Sequence, residues 1–489
     1  MADWQDFIDG LDLAGIVPDE LARYRPAVAD GLAVFLAGLE PARTAWILAE
    51  QLSLPSSTPT DARLVALARH CPALHKLGQV LARDRRLPPR LRGLLQHLET
   101  MSPVADGDGR LRATLERELG PLASIGITLD GPPLAEASVA VVVPFVWWES
   151  AAARPRRGVF KVLKPGIEAR LDAELDLLQA IGARLDDNCR RLDLPTIAYE
   201  ETFAQVRELL ALEVRPDREQ EHLRAGRAAY VAMDSVIVPE VFPFSTPRLT
   251  AMARIDGRKV TDVEGVLDAA SRRRLADLVV AALIARPIWS PDPETLFHAD
   301  PHAGNLMVTG EGELAIFDWS LVGRLSKDDL VALTQILLGT VAGDAPRIAA
   351  AITALSDGRI DGEALRAVVA RSLGRLPDGR PWGGLSWLAG LMDDAVTAAG
   401  GRFRTDLMAF RKVLLTLRGV IADICADCDP EVALLAVFLR RFAWEWGWRA
   451  FAPPWGRGFS THISNAELAE LMMLAPLIAA RAAWPRGRR

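Results

Sequence analysis

One short stretch of the chain carries three oxygen-bearing side chains at spacings that suit phosphate chemistry. In "LFHADPHAGNLMVTGEGELAIFDWS", Leu296 to Ser320, residues Asp300, Asn305 and Asp318 are separated by five and then thirteen positions. A polyphosphate accompanied by magnesium calls for hard oxygen ligands, and magnesium keeps several waters, so two protein ligands suffice. A further carboxylate has to stand where the accepting group gives up its proton. A D-x4-N pair with another aspartate opening the next strand–turn meets both needs. Asp300 would orient or deprotonate the acceptor, and Asn305 and Asp318 would hold the metal. The plainer reading is a polar turn between two strands, since Asp and Asn favour turns. Both spacings and the apolar flanks "NLMV" and "AIFDW" argue for the metal site. So does the rarity of asparagine, which occurs only at 188, 305 and 465.

A nucleotide also needs a cation between its α- and β-phosphates, and a compact ammonium on a strand suits that task. Only six of the 57 basic residues are lysine (76, 161, 164, 259, 327 and 412), so a lysine in this arginine-rich chain is expected to serve its own chemistry. Lys161 in "GVFKVLKPG" shares a strand face with Val159 and points to a cleft, whereas Lys164 falls on the opposite face near the strand end. An acidic partner for Lys161 would come from a facing helix, where "EVRPDREQEH" offers Glu213, Glu219 and Glu221.

These residues need elements to hold them. Residues 1–117 show helical periodicity in "WQDFIDGLDLAGI", "GLAVFLAGLEPARTAWILAEQL", "DARLVALARHCPALHKLGQVLA" and "PRLRGLLQHLE", broken by Pro55 to Pro59 and by Pro88-Pro89. "ASVAVVVPFVWWES" and "RGVFKVL" then read as two strands joined by the turn "AAARPRR". Helical pattern returns in "IEARLDAELDLLQAIGARLDD" and "YEETFAQVRELLALEV"; "SVIVPEVFP" and "PRLTAMARIDG" read as further strands. Beyond Asp256-Gly257 the pattern is mostly helical, interrupted by the hairpin. Three parts follow: a helical extension over 1–117, a small lobe of sheet and helix over 118–256, and a larger, mostly helical lobe over 257–489.

Composition narrows the classes. At 489 residues, one compact core is too small a home for the chain. A formal charge of −6 argues against a general nucleic-acid binder. Four scattered cysteines make no disulfide framework, and Cys425-Ala-Asp-Cys428 is expected to be a pair of buried thiols, with a metal or redox role as the alternative. "MADWQDFIDG" lacks a signal-peptide pattern, and no window reaches the roughly 18–20 uncharged apolar residues of a membrane span. The expectation is a reduced, cytoplasmic, soluble protein.

Taken together, the motifs resemble those of the UbiB (AarF-like) family of atypical kinase-like proteins, over about residues 70–330. "HKLGQVLARDRRLPPRL" is similar to the family's K-x-G-Q signature, with Lys76, Gly78 and Gln79 matching. "PLAEASVA" resembles the alanine-rich loop that replaces a glycine-rich loop, "FKVLKPGI" the lysine strand, and "HADPHAGN" with "FDWS" the catalytic and metal motifs. In "LEVRPDRE", Glu213 and Glu219 fall on family glutamates. The resemblance implies an α+β, two-lobed, kinase-like fold whose K-x-G-Q extension covers the place where ordinary kinases admit peptides. It implies ATP or ADP as nucleotide, with magnesium, and a small-molecule or lipid-like, isoprenoid-related acceptor. By the same resemblance Lys161 touches the phosphates and pairs with Glu219; Ala135, Ala137, Ser138 and Met252 line the nucleotide; Asn305 and Asp318 bind magnesium; Asp300 is catalytic; and Lys76, beside Gln79, pairs with Glu213.

The chain departs from that pattern in places. Glu136 stands among the alanines, where a carboxylate repels phosphate unless it is paired. Arg215 replaces an aspartate, Val141-Val142-Val143 replaces a Q-V-H, and Ala253 sits where the hinge is usually acidic. Asp318-Trp319-Ser320 replaces D-F-G, and serine lacks glycine's backbone freedom. These substitutions leave a non-catalytic nucleotide-binding scaffold as the rival reading, and a dedicated small-molecule kinase as a third. Near the end, "FAWEWGWRAFAPPWGRGF" over 442–459 holds four tryptophans, three phenylalanines and two arginines. It is expected to pack as an aromatic cluster on the large lobe, with peripheral membrane contact as the alternative.

Overall fold

The computed structural model describes residues 17, 19–55, 57–81, 108–136, 139–150, 153–194, 199–376 and 383–483. Contacts divide the chain into two compact units, Met1–Gln220 with Val241–Arg254, and Glu221–Glu240 with Ile255–Arg489.

The first unit begins with helices α1 (Arg25–Ala37), α2 (Pro41–Ser53), α3 (Thr60–Ala68), α4 (Pro72–Leu81) and α5 (Asp108–Leu119). Strands β1 (Ile127–Leu129), β2 (Ala135–Glu136), β3 (Ala140–Trp147) and β4 (Arg156–Leu163) follow, then α6 (Ile167–Asn188) and α7 (Tyr199–Ala211). Helix α8 (Pro216–Tyr230) has the unit division within it, after Gln220. Strand β5 (Val236–Ile237) belongs to the second unit, and β6 (Leu249–Ala253) returns to the first. The sheet runs β1-β3-β4-β6, with β2 on β3, and all its pairs are antiparallel.

Strand alternation decides what this sheet shows to each side. Phe160 and Val162 of β4 enter a core with Phe145, Phe242, Leu249 and Leu115 of α5, so Lys161 between them faces the other way. A second core joins Phe35, Leu36, Ile47 and Leu67 of the early helices to Leu171, Leu175 and Leu178 of α6. Glu174 of α6 lies fully buried there, accepts a 2.8 Å hydrogen bond from the Ala73 N–H in the first turn of α4, and is paired with Arg43. Burial pushes the Glu174 carboxyl up, and the Arg43 guanidinium opposes that shift. An orphan helix N–H is thus capped by a charge from another helix, which fixes where α4 begins.

The second unit adds β7 (Arg258–Lys259) and α9 (Ala269–Val280). Asp268 caps α9, and the helix continues through a π turn at Ala281–Ala285 to Ile288. Strands β8 (Glu294–His298), β9 (Leu306–Val308), β10 (Leu314–Ile316) and β11 (Val322–Ser326) follow. A four-stranded sheet has the order β5-β10-β9-β7, and β8 pairs with β11. Seven helices complete the unit: α10 (Lys327–Ala342), α11 (Ala345–Leu355), α12 (Gly362–Gly374), α13 (Gly384–Ala399), α14 (Thr405–Ile424), α15 (Pro430–Arg449) and α16 (Asn465–Ala483). A Ser326/Asp329 capping box starts α10 immediately after β11.

Three expectations need correcting. "SVIVPEVFP" forms only the two-residue β5, because Pro239 and Pro243 have no N–H to give to a ladder; Val241 makes an isolated bridge to Met252 instead. Cys425 and Cys428 are not buried thiols. They are half-buried and joined as a disulfide across the turn between α14 and α15, where their Cα atoms lie 5.4 Å apart, within the range a disulfide spans. The aromatic segment does not bury its tryptophans: Phe442 and Phe459 are half-buried, but Trp444, Trp446, Trp448, Trp455 and Phe451 are exposed. The helices expected in "WQDFIDGLDLAGI" and "PRLRGLLQHLE" fall outside the described residues.

One buried network makes a stability prediction. Glu445 of α15 accepts hydrogen bonds from Ser460, Thr461 and Arg449, and fully buried His462 meets the Ile288 carbonyl through Nε2 at 2.7 Å. Burial, followed by the nearby Lys327 ammonium, pushes the imidazole down to about 4 from an ordinary value near 6.5. The unfolded chain therefore binds the proton more tightly than the folded one. This stability is complete above about pH 6.5 and is lost as the pH falls towards 4, by roughly 3 kcal/mol in all. Chemical denaturation of wild type and His462→Gln across that interval tests it. The variant is expected to show a shallower slope, and identical slopes would overturn the assignment.

Candidate active site

Each compact unit carries residues that the sequence singles out. In the first, the Lys161 ammonium lies 2.7 Å from Glu219 Oε1, and the glutamate side chain is only 6% exposed. Helix α8 explains the pairing. Pro216 at its first position has no N–H to leave unsatisfied, and Asp217 and Glu219 in the first turn suit the positive end of the helix dipole. The Gln220 side chain donates to the Thr246 carbonyl at 2.8 Å and to the Thr250 hydroxyl at 3.3 Å, which ties the helix start to β6. Thr250 lies opposite Lys161 in the β4–β6 register, so the strand that holds the helix also lies beside the lysine. Of the three glutamates considered, Glu219 is the one beside Lys161.

The substitutions that set this chain apart are accommodated nearby. Glu136 Oε1 lies 2.6 Å from the Lys164 ammonium, so the carboxylate among the alanines is neutralised from the far end of the lysine strand. Arg215 makes a two-pronged contact with Asp217, at 3.0 and 2.7 Å. Ala135 is exposed on β2 opposite Val142, and Met252 is half-buried on β6 opposite Val159. Ala137 and Ser138 lie outside the described residues, as do the side chains of Lys76 and Gln79 on α4. Glu213 is half-buried on a short 3-10 turn at Leu212–Val214.

The second unit holds Asp300, Asn305 and Asp318. The β9–β10 hairpin pairs Leu306 with Ile316, and the Phe317 N–H donates to the Asn305 carbonyl at 2.8 Å, so Asn305 and Asp318 come from the same end of one ladder. The Asn305 amide nitrogen donates to the Asp300 carbonyl at 3.1 Å, which leaves its side-chain oxygen, a hard ligand, for another partner. His298 links the two motifs. Its Nδ1 accepts from the Asp300 N–H at 3.2 Å, so Nε2 carries the proton and donates to the carbonyls of Phe317 and Asp318, at 2.9 and 3.0 Å. Burial holds this imidazole below its usual range, in keeping with the neutral tautomer.

Asp318 has φ 52°, a left-handed conformation that is uncommon for a residue with a side chain. Ser320 is not among the described residues with positive φ, so the freedom that glycine gives a D-F-G turn is not required at this position. Trp319 is fully buried. Its indole N–H donates to the Ile316 carbonyl at 3.1 Å, its own carbonyl meets His222 Nδ1 at 2.9 Å, and its ring lies against Gly226 of α8.

Lys412 escaped the motif reading. Its ammonium lies 3.2 Å from Asp300 Oδ1, and His302 Nε2 lies 3.7 Å from Oδ2. Phe410 of the same helix, α14, packs edge-on against Phe297 of β8 with ring centroids 5.1 Å apart, and this sets the lysine beside the aspartate. Its only sequence signal was the scarcity of lysine. Oxygen donors from Asn305 and Asp318 suit magnesium; among the described residues no group of three or more His, Cys, Asp or Glu side chains is placed to hold a metal ion.

A Lys–Glu pair beside a five-strand sheet, and an Asp/Asn/Asp hairpin in a mainly helical unit, define an atypical kinase-like protein with an α+β fold. Residues 111–352 match the model of the ABC1 atypical kinase-like domain. The chain belongs to the UbiB/AarF family. It is 31% identical over 295 residues to a probable protein kinase UbiB of Xanthomonas campestris, covering 58% of this chain and 52% of the relative. It is 28% identical over 280 residues to an uncharacterized chloroplastic aarF domain-containing protein kinase of Arabidopsis thaliana, covering 55% and 48%. The chain therefore spans about half the length of these curated relatives. A solved complex of Mycobacterium tuberculosis Rv3197 with erythromycin aligns over 71% of this chain and 86% of that one, with a TM-score of 0.49 and 18% identity, too distant a likeness to inform function.

Proposed function

We propose that this protein binds ATP with magnesium and either transfers the terminal phosphate to a small-molecule or lipid-like acceptor or hydrolyses ATP in response to one. The observation that carries the reading is the His298 link, which ties the Asp300 loop to the Asp318 turn through three hydrogen bonds. Asn305 and Asp318 would hold magnesium, which supplies neutralising charge on the phosphates. Lys161, kept in place by Glu219, would contact the nucleotide phosphates. Asp300 would take the proton from the attacking hydroxyl as the new O–P bond forms and the bond to ADP breaks. Lys412, which lies beyond the segment matched by the family model, would keep the Asp300 carboxylate oriented.

The scaffold reading rests on Glu136 and on Asp318-Trp319-Ser320, and the 2.6 Å pair with Lys164 weakens the first of these. The test is incubation with labelled ATP and magnesium, with and without a small-molecule extract. Phosphate release marks an ATPase and a labelled metabolite marks a kinase. Neither product in either arm would overturn the catalytic reading. For the nucleotide, Lys161→Ala is expected to weaken ATP binding roughly tenfold or more, the loss of one charged phosphate contact. Because that change strands buried Glu219, Lys161→Arg serves as the companion: it keeps a cation but not the compact geometry. Undiminished ATP affinity in both variants by calorimetry would exclude Lys161 from the site.

A further inference from the structure

Helix α14 and its N-cap carry four basic residues, Arg404, Arg411, Lys412 and Arg418. The three arginines are engaged by the framework: Arg404 pairs with Asp329 of α10, Arg411 with Asp393 of α13, and Arg418 reaches the Ser386 hydroxyl. Lys412 is different. Among the described residues its partner is Asp300, at 3.2 Å, and an ammonium has three N–H donors, so two are uncommitted.

The backbone, rather than packing of its own stem, sets this lysine in place. Phe410, two positions earlier, is fully buried against Phe297 of β8. Gly323 lies opposite Phe297 in the β8–β11 register and makes room for its ring, since a Cβ there would come within 2.2 Å of Cζ. Phe297 leads directly into His298, whose Nδ1 holds the Asp300 N–H. One strand thus fixes both the helix that carries Lys412 and the loop that carries Asp300. Lys412 itself stands outside the buried stripe of Leu407, Phe410, Leu414, Leu417 and Ile421, and its side chain is 54% exposed. An ion pair this open to solvent adds little to stability.

We propose, resting on the reaction put forward above, that Lys412 is a catalytic residue: it keeps one N–H on Asp300 and gives the others to the oxygens of the terminal phosphate during transfer. An acceptor oxygen that loses its proton to Asp300 must lie within hydrogen-bond reach of that carboxylate. The phosphorus it attacks is then one bond further on, within range of an ammonium that touches the same carboxylate. As the new O–P bond forms, the bond to ADP breaks and its electron pair leaves with ADP. The acceptor's proton passes to Asp300, and Lys412 gives up none. Negative charge spread over the moving phosphoryl oxygens is what a fixed cation stabilises. His302 does not replace the lysine. Its Nδ1 accepts from the Gly304 N–H at 3.0 Å, so it can donate only through Nε2, which lies 3.7 Å from the other oxygen of Asp300.

Calorimetry on the full chain with magnesium, using ADP and the uncleaved β,γ-imido analogue of ATP, reads the contact without turnover. Lys412→Ala is expected to weaken the triphosphate about tenfold, the loss of one charged phosphate contact, and Lys412→Glu to weaken it further. ADP affinity is expected to stay at the wild-type value in both variants, which also shows that they fold. Lys161→Ala, whose phosphates are common to both nucleotides, is expected to weaken both. A lysine that only orients Asp300 would leave both affinities unchanged, and one needed for the fold would lower both together; either result overturns the proposal. Wild type that binds neither nucleotide would remove the reading beneath it as well. Wild type that binds both, with Lys161→Ala impaired and Lys412→Ala unimpaired, would remove the role of Lys412 alone.

Discussion

Replacing Asp300 by asparagine is expected to lower the proposed phosphate release or transfer from ATP by about 100- to 10,000-fold, the range for losing a positioned general base, and to leave ATP affinity unchanged. The substitution is close to isosteric. The backbone N–H of residue 300 can still meet His298 Nδ1, its carbonyl can still accept from the Asn305 amide, and an amide oxygen can still face the Lys412 ammonium. What disappears is the capacity to take a proton at the carboxylate. Calorimetric ATP titration beside a single-turnover rate separates the two quantities. If the rate falls only in proportion to the affinity, Asp300 is a binding residue. If neither changes, the chemistry lies elsewhere and the scaffold reading regains its ground.

The parts of the site that could be read from sequence are those that short-range periodicity positions. Alternation along β4 is enough to turn Lys161 away from Phe160 and Val162, and a hairpin between two apolar runs is enough to bring Asn305 and Asp318 to one ladder end. The partners of those residues come through tertiary packing, which spacing does not encode. Lys412 reaches Asp300 across 112 positions because Phe410 packs on Phe297, and nothing in "MAFRKVLLTL" announces that contact. Glu136 looked hostile to phosphate until strand pairing brought Lys164 to it. Of the six lysines, Lys161, Lys164 and Lys412 each meet a carboxylate, and Lys327 donates to the Phe459 carbonyl.

Where pattern failed, the reason is local. A run rich in valine was read as a strand although two prolines interrupt its ladder. A cluster of aromatics was expected to bury itself, yet the buried stripe of α15 is already occupied by Leu434, Glu445 and Arg449, so Trp444, Trp446 and Trp448 are all left outside. Aromatic content says how much apolar surface exists; only the helix phase says which way it faces.

Gly226→Ala is expected to damage the hairpin of the candidate site from a distance. A Cβ at that position would meet three atoms of the Trp319 ring at 2.6, 2.7 and 2.8 Å, closer than real Cβ contacts come. The ring cannot swing clear cheaply. It is fully buried, bonded through its N–H to the Ile316 carbonyl, and flanked by His298 and Tyr230 with ring centroids at 5.1 and 6.2 Å. Overpacking of this kind costs about 1–3 kcal/mol. Its functional effect should exceed its effect on stability, because Asp318 holds a left-handed backbone only while its surroundings enforce it. Contacts that hold it include the His298 bond to the Asp318 carbonyl and the His222 bond to the Trp319 carbonyl. Displacing the indole loosens both and moves the proposed magnesium ligand. The expected result is weaker magnesium-dependent nucleotide binding and lower turnover in a chain that still folds. Trp319→Phe removes the atoms that clash, so the double variant Gly226→Ala/Trp319→Phe should recover part of the loss; a double variant whose losses simply add would show that Gly226 and Trp319 do not act through each other.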